Sequence, residues 1–127
     1  MRKSTKLNTK PTGSQKYVKR IADLMLEKKA VDILVIDVKK ITTLTDFFII
    51  CTSESEPQTR AITDHINETM KAEGFRSWHI EGYQNLEWVL VDFVNIVVHI
   101  FSKEARAYYE FERLWADGKI THVKDKL

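Results

Sequence analysis

The chain has 127 residues and a mass of 14.9 kDa, room for one domain and not for two. Hydrophobic residues at 43% and charged residues at 30% supply a core and a soluble surface, which excludes wholesale disorder. The formal net charge is +2, yet Arg2, Lys3, Lys6, Lys10 and Lys16 put +5 into residues 1–16 with no acid, which leaves −3 for residues 17–127.

That asymmetry divides the chain. Residues 1–16 read as a basic, disordered tail that alone has the charge to touch RNA, and the mildly acidic remainder lacks the clustered Lys and Arg that neutralise phosphates. The single cysteine, Cys51, has no internal partner and fits a reducing, cytoplasmic setting. The longest apolar runs, residues 33–36, 47–51 and 96–101, are strand-sized and short of the roughly 20 residues a spanning helix needs. No apolar segment follows the basic amino end, so neither a secretory signal nor a membrane anchor is expected.

After the tail, Tyr17, Val18, Ile21, Ala22, Leu24, Met25 and Leu26 recur at spacings of three and four, which predicts a helix capped by Ser14. Residues 32–38 form a short β-branched run closed by acids, the pattern of a strand covered on both faces. A polar connection leads to a second buried strand at residues 47–52. Ser55 with Gln58 three positions on, and Pro57 between them, marks the start of a second helix. Ala61, Ile62, His65, Ile66, Thr69 and Met70 carry it to Gly74, a natural left-handed stop.

Residues 75–81 predict a weaker strand, and residues 88–92 and 96–101 two more joined as a hairpin through Phe93, Val94 and Asn95. Ser102 caps a final helix bearing Ala105, Tyr108, Tyr109, Phe111, Leu114 and Trp115, with Gly118 at its end. The expected order is α-β-β-α-β-β-β-α, a single mixed sheet flanked by helices in one domain at residues 17–118. Residues 119–127 are expected to be a short extension.

Catalytic signatures are absent: no Gly-rich phosphate loop, no HExxH, no paired-Cys motif and no Gly-x-Ser-x-Gly elbow. The strand ending in Thr52-Ser53 loosely resembles nucleotidyltransferases, but the closely spaced acids that hold two metals there do not follow. Three looser sets remain. Cys51, His79 and His99 lie on predicted strands and could meet around zinc, although their spacing matches no metal motif. Ser53, His99 and Asp92 form a drawable hydrolase triad without a strained nucleophile turn. Glu81, Glu87 and Asp92 place carboxylates near one hairpin, in a domain with little room for a sugar cleft. Packed or solvated roles are the plainer account of each set.

Aromatic residues are the richer signal. Trp78, Trp88 and Trp115 accompany Tyr83, Tyr108 and Tyr109, and such residues dominate protein interfaces where they are exposed. Along residues 88–92, alternation puts Trp88, Leu90 and Asp92 on one face and Val89 and Val91 on the other. Pattern alone leaves open whether Trp88 is buried or free.

Read together, Glu81-Gly82, Glu87-Trp88-Val89-Leu90-Val91-Asp92, the strand from Ile96 to Phe101 and the segment from Arg106 to Trp115 resemble the ribosomal silencing factor (Iojap-like) family. The resemblance extends upstream through Lys29-Ala30-Val31-Asp32-Ile33, Thr45-Asp46-Phe47-Phe48, and Ser55 with Gln58, covering residues 17–115. It implies a nucleotidyltransferase-like fold without the active site, a homodimer, and no cofactor or metal. It also implies binding to large-subunit ribosomal protein fourteen, which blocks joining of the small subunit and lowers translation when nutrients are scarce, with a link to large-subunit maturation. Carried onto this chain, the matching positions are Glu81, Gly82, Trp88, Asp92 and His99; Leu90, which shares the Trp88 face by alternation, and Tyr83 beside the Glu81-Gly82 turn complete the expected partner-binding set. Two positions depart from the family pattern, Ser53 for a glycine and Val94-Asn95 for a Gly-acid turn. Two other functions compete, a metal-dependent nucleotidyltransferase and a generic dimeric adaptor.

Overall fold

The computed structural model describes residues 13–124, so most of the basic tail and the last three residues lie outside it. Helix α1 (Gly13–Glu27) leads to strands β1 (Val31–Asp37) and β2 (Phe47–Ser53), helix α2 (Glu56–Ala72), and strands β3 (His79–Glu81), β4 (Trp88–Asp92) and β5 (Ile96–Ser102). Two short helices, α3 (Lys103–Tyr109) and α4 (Phe111–Leu114), precede a last strand, β6 (Lys119–Val123). One six-stranded sheet results, in the order β3-β4-β5-β2-β1-β6. Its central pair, β2 and β5, is parallel, and the remaining pairs are antiparallel.

The expected mixed α/β sheet is present. Four boundaries differ from expectation. The strand expected over residues 75–81 is confined to His79–Glu81, because Phe75 turns onto Tyr17 and Phe93 in ring stacks instead of joining the sheet. Helix α1 begins at Gly13, so residues 13–16, expected in the tail, are helical. Residues 119–123, expected as an extension, form an edge strand paired with β1 from Ile33↔Val123 to Asp37↔Lys119. The final helix, expected to run to Gly118, breaks at Glu110, whose left-handed backbone (φ 47°) ends α3 and starts α4. Gly118 serves a close approach instead. A Cβ there would lie 2.7 Å from Ile36 Cγ2 and 2.8 Å from the Asp37 carbonyl, so only glycine lets the chain pass β1 at this distance.

The two faces of the sheet are covered unequally. Helices α1 and α2 pack on one face, where Ile21, Leu24, Met25, Ile62, Ile66 and Met70 meet Ile33, Ile49, Cys51, Val89, Val91, Val98 and Ile100 in the main core. Burying side chains of this size contributes about 1.5–3 kcal/mol each. Tyr17 of α1 stacks on Phe75 at 3.9 Å between ring centres, Phe75 stacks on Phe93 at 4.9 Å, and Arg20 forms a fork on Glu73, which fastens α1 beside α2. The Ser55 hydroxyl accepts the Gln58 amide at 3.1 Å to start α2. The Gln58 carboxamide continues the link, donating to the carbonyls of Lys28 and Lys29 at 3.0 and 2.9 Å.

Among the described residues, the opposite face is covered only by α3 and α4, through a smaller core of Ile36, Val38, Phe48, Ile50, Phe101, Ala105 and Phe111. Arg106 fixes these helices to the sheet. Its guanidinium donates to the Asp32 carbonyl at 3.0 Å and the Thr52 hydroxyl at 2.7 Å, and pairs with Glu112 across the α3–α4 break. No helix among the described residues is long and apolar enough to cross a membrane.

Candidate functional site

Register decides which side chains share the thinly covered face. Residues opposite one another in an antiparallel pair point the same way. Glu81 lies opposite Leu90 and Leu90 opposite His99, forming one row. His79, Asp92 and Val97 form a second, and Trp88 with Phe101 a third. Five of the seven expected positions, Glu81, Trp88, Leu90, Asp92 and His99, therefore come together. On β4, Val89 and Val91 are wholly buried while Trp88, Leu90 and Asp92 are half-buried, as the alternation requires.

Each of the five has a distinct environment. The ring of Trp88 packs against Phe101 at 4.9 Å, Tyr109 at 4.8 Å and Phe111 at 6.0 Å, and its indole N–H donates to His99 Nδ1 at 2.9 Å. Trp88 thus joins the smaller core while keeping part of its surface in solvent. His99 is only 2% exposed, and burial pushes its pKa down to about 3. It lies beneath the face and cannot itself touch a partner. Glu81 is exposed, with Oε2 2.7 Å from His79 Nε2. The Asp92 carboxylate accepts the Val94 amide at 2.7 Å, an exposed bond that closes the hairpin turn.

The other two positions are placed differently. Tyr83 belongs to the helix side: its hydroxyl donates to Asp64 of α2 at 2.8 Å, and Arg60 lies over its ring at 5.1 Å. Gly82 is a backbone requirement, with φ +80°. In sequence, Tyr108 and Tyr109 stand out as aromatic surplus without a place on this face. Tyr109 borders Trp88, while Tyr108 and Leu114 are 80% and 75% exposed on the short helices beside it. The αL break at Glu110 turns the chain there, and no sequence signal marks it.

Two of the catalytic sets come apart, and of the third Glu81 and Asp92 share the open face in separate cross-strand rows while Glu87 lines the cleft at the strand ends. Cys51 is fully buried in the main core, with its thiol pushed up to about 12 by burial, while His99 sits on the other face and His79 at the edge beside Glu81. Among the described residues no cluster of three or more His, Cys, Asp or Glu is placed to hold a metal. Ser53 shares the buried side with Cys51, donating to the Ser55 carbonyl at 2.8 Å, so it does not meet His99 or Asp92.

A cleft of about 420 Å³ opens at the carboxyl ends of the parallel strands, lined by Ser53, Ser55, Thr59, Glu87, Ser102 and Glu104. That is where open α/β sheets bind ligands. Its hydroxyls are engaged locally: Ser55 accepts Gln58 N–H, Thr59 donates to the Ser55 carbonyl, and Ser102 accepts the Ala105 amide at 3.0 Å to cap α3.

Comparison with known proteins gives a consistent result. Residues 11–127 match the family described as ribosomal silencing factor during starvation. The ribosomal silencing factor RsfS of Halalkalibacterium halodurans is 36% identical over 112 residues, covering 88% of this chain and 96% of that protein. Mitochondrial assembly of ribosomal large subunit protein 1 of Mus musculus is 31% identical over 106 residues, 81% of this chain and 46% of that one. A crystal structure of a protein from Chromobacterium violaceum superposes with a TM-score of 0.80 at 30% identity, covering 90% of this chain and 96% of that one. With the same mixed sheet and the resembling segments on its exposed hairpin and short helices, the chain belongs to the ribosomal silencing factor family.

Proposed function

We propose that the chain binds the large ribosomal subunit and blocks joining of the small one, lowering protein synthesis under nutrient limitation. The observation that carries this reading is the thinly covered sheet face, where Trp88, Leu90 and Val97 stay half-buried while the reverse side of the same strands is sealed. A strip of this kind, bordered by Tyr109 and rimmed by Glu81 and Asp92, suits a folded protein partner. Its acids disfavour a bare phosphate backbone. The partner is large-subunit ribosomal protein fourteen, as the family resemblance implies.

Further parts of the reading follow from the same resemblance. The chain acts in the cytoplasm as a homodimer without catalytic activity, and the basic residues of the tail add a weak ribosomal RNA contact. A role in large-subunit maturation is supported by the name of the mouse relative.

Co-sedimentation with purified large subunits tests the central claim. The chain is expected to pellet with large subunits and to reduce their joining with small ones; a chain left in the supernatant at micromolar concentration sinks it. A magnesium- or manganese-dependent nucleotide transfer above background would restore the enzymatic reading.

A further inference from the structure

His99 is an unexpected residue for its surroundings. Its ring neighbours are Phe111 at 4.3 Å, Phe48 at 5.3 Å, Trp88 at 5.9 Å and Phe101 at 6.0 Å, an aromatic cluster from which solvent is excluded. A phenylalanine would fill such a position without a polar atom to desolvate. The two ring nitrogens of the histidine are used unequally. Nδ1 accepts the Trp88 indole N–H at 2.9 Å, whereas Nε2 has no hydrogen-bond partner among the described residues. An accepting Nδ1 leaves the ring proton on Nε2. Among the described residues the Nε2–H is without a partner, and the hydrogen bond the ring makes is the one to Trp88.

We propose that His99 is a positioning residue that holds the Trp88 indole in one orientation, so that the binding face is formed before its partner arrives. The consequence for binding rests on the function proposed above. Packing against Phe101, Tyr109 and Phe111 tolerates an indole turned over about its own axis, because ring contacts distinguish the two orientations weakly. A hydrogen bond is directional and selects one. His99 stands opposite Leu90, two positions before Phe101, the diagonal place from which a cross-strand side chain reaches Trp88. Side chains frozen only on association weaken binding, so an indole already fixed spares the complex that loss. Burial keeps the imidazole neutral near neutral pH, and the accepting lone pair persists there.

The test uses the full chain labelled with 5-fluorotryptophan, the Trp88 fluorine line being assigned by its loss in Trp88→Phe. Wild type is expected to show one Trp88 line and a slowly exchanging indole proton. In His99→Phe, which keeps the ring volume, the line should broaden or split, the proton should exchange rapidly, and affinity for purified large subunits should fall about tenfold. His99→Asn, whose side-chain oxygen replaces the Nδ1 acceptor, should restore one line and most of the affinity.

A sharp, protected Trp88 line in folded His99→Phe overturns the proposal, as does a split line with unchanged affinity. If His99→Phe fails to fold, His99→Asn decides: one protected line supports positioning and a split line overturns it. A wild-type chain that ignores large subunits, while His99→Phe still splits the line, sinks the ribosomal reading and leaves the positioning role standing.

Discussion

Gly82 lies so close to Trp88 that a Cβ at position 82 would overlap the Trp88 carbonyl oxygen. The turn leading into β4 therefore passes directly against the strand that carries the open face. Gly82 also has φ +80°, a conformation that penalises any side chain. Gly82→Ala combines both penalties and is expected to cost about 2–4 kcal/mol of unfolding free energy. Denaturant titration checks this, and an unchanged midpoint would show that the turn relaxes freely.

Val94 presents the opposite case. It is 56% exposed and adopts φ +75°, an uncommon conformation for a β-branched residue. Replacing it with glycine removes strain of about 1–2 kcal/mol and returns about 0.5–1 kcal/mol to the unfolded chain as entropy. Val94→Gly should therefore raise stability by up to about 1 kcal/mol, a gain of a few degrees in Tm. A lower Tm would mean that the valine side chain makes a contact worth more than the backbone strain.

These two turns also show where sequence reading succeeds and stops. Alternation on β4 is legible because Val89 and Val91 face a sealed core while Trp88 and Leu90 face a thin one, so burial imprints a period of two. Strand β6 leaves no such imprint. Lys119, Ile120, Thr121 and His122 are all exposed, and the strand is held by main-chain pairing to β1. The break at Glu110 is equally silent, since glutamate is not a residue that announces a left-handed turn. Tyr83 and Trp88 look alike as interface aromatics in sequence. Only the helix-side bond from Tyr83 to Asp64 separates them.

Acid should act on stability through His99. Its folded pKa is lowered to about 3 from 6.5, so the unfolded chain binds a proton across that interval while the native chain does not. The contribution is fully present above pH 6.5, declines as pH falls, and is exhausted near pH 3. Its slope approaches about 1.4 kcal/mol per pH unit. The difference in stability between wild type and His99→Phe, followed from pH 7 to pH 4, should carry this slope. A constant difference would show that His99 titrates normally when folded.

Arg106 ties three elements together, and its charge is integral to two of them. Arg106→Leu keeps the stem but strands the Thr52 hydroxyl and leaves Glu112 unpaired, an expected cost of about 2–3 kcal/mol. Arg106→Lys should recover less than half, because an ammonium cannot span Asp32, Thr52 and Glu112 with a planar fork. Full recovery by lysine, read from thermal melts, would reduce the role of Arg106 to charge alone.

Leu90 offers the cleanest separation of binding from folding. Trp88→Ala is a mixed probe, since Trp88 packs on Phe101, Tyr109 and Phe111 and bonds to His99, so its truncation should cost about 2–4 kcal/mol of stability as well as affinity. Leu90 is half-buried on the same face, between Glu81 and His99 in register. Leu90→Glu puts a charge at a position with access to water, for a stability loss of about 1 kcal/mol. In a complex sealed over this strip, the same charge would be desolvated without a partner, which commonly weakens association by about 2–5 kcal/mol, or thirtyfold and more. Leu90→Glu should therefore melt within several degrees of wild type and fail to sediment with large subunits. A folded Leu90→Glu that pellets normally would move the contact off this strip, toward Tyr108 and Leu114 on the short helices. A Leu90→Glu that unfolds would show that the face is a sealed core in the assembled molecule, with the partner bound elsewhere.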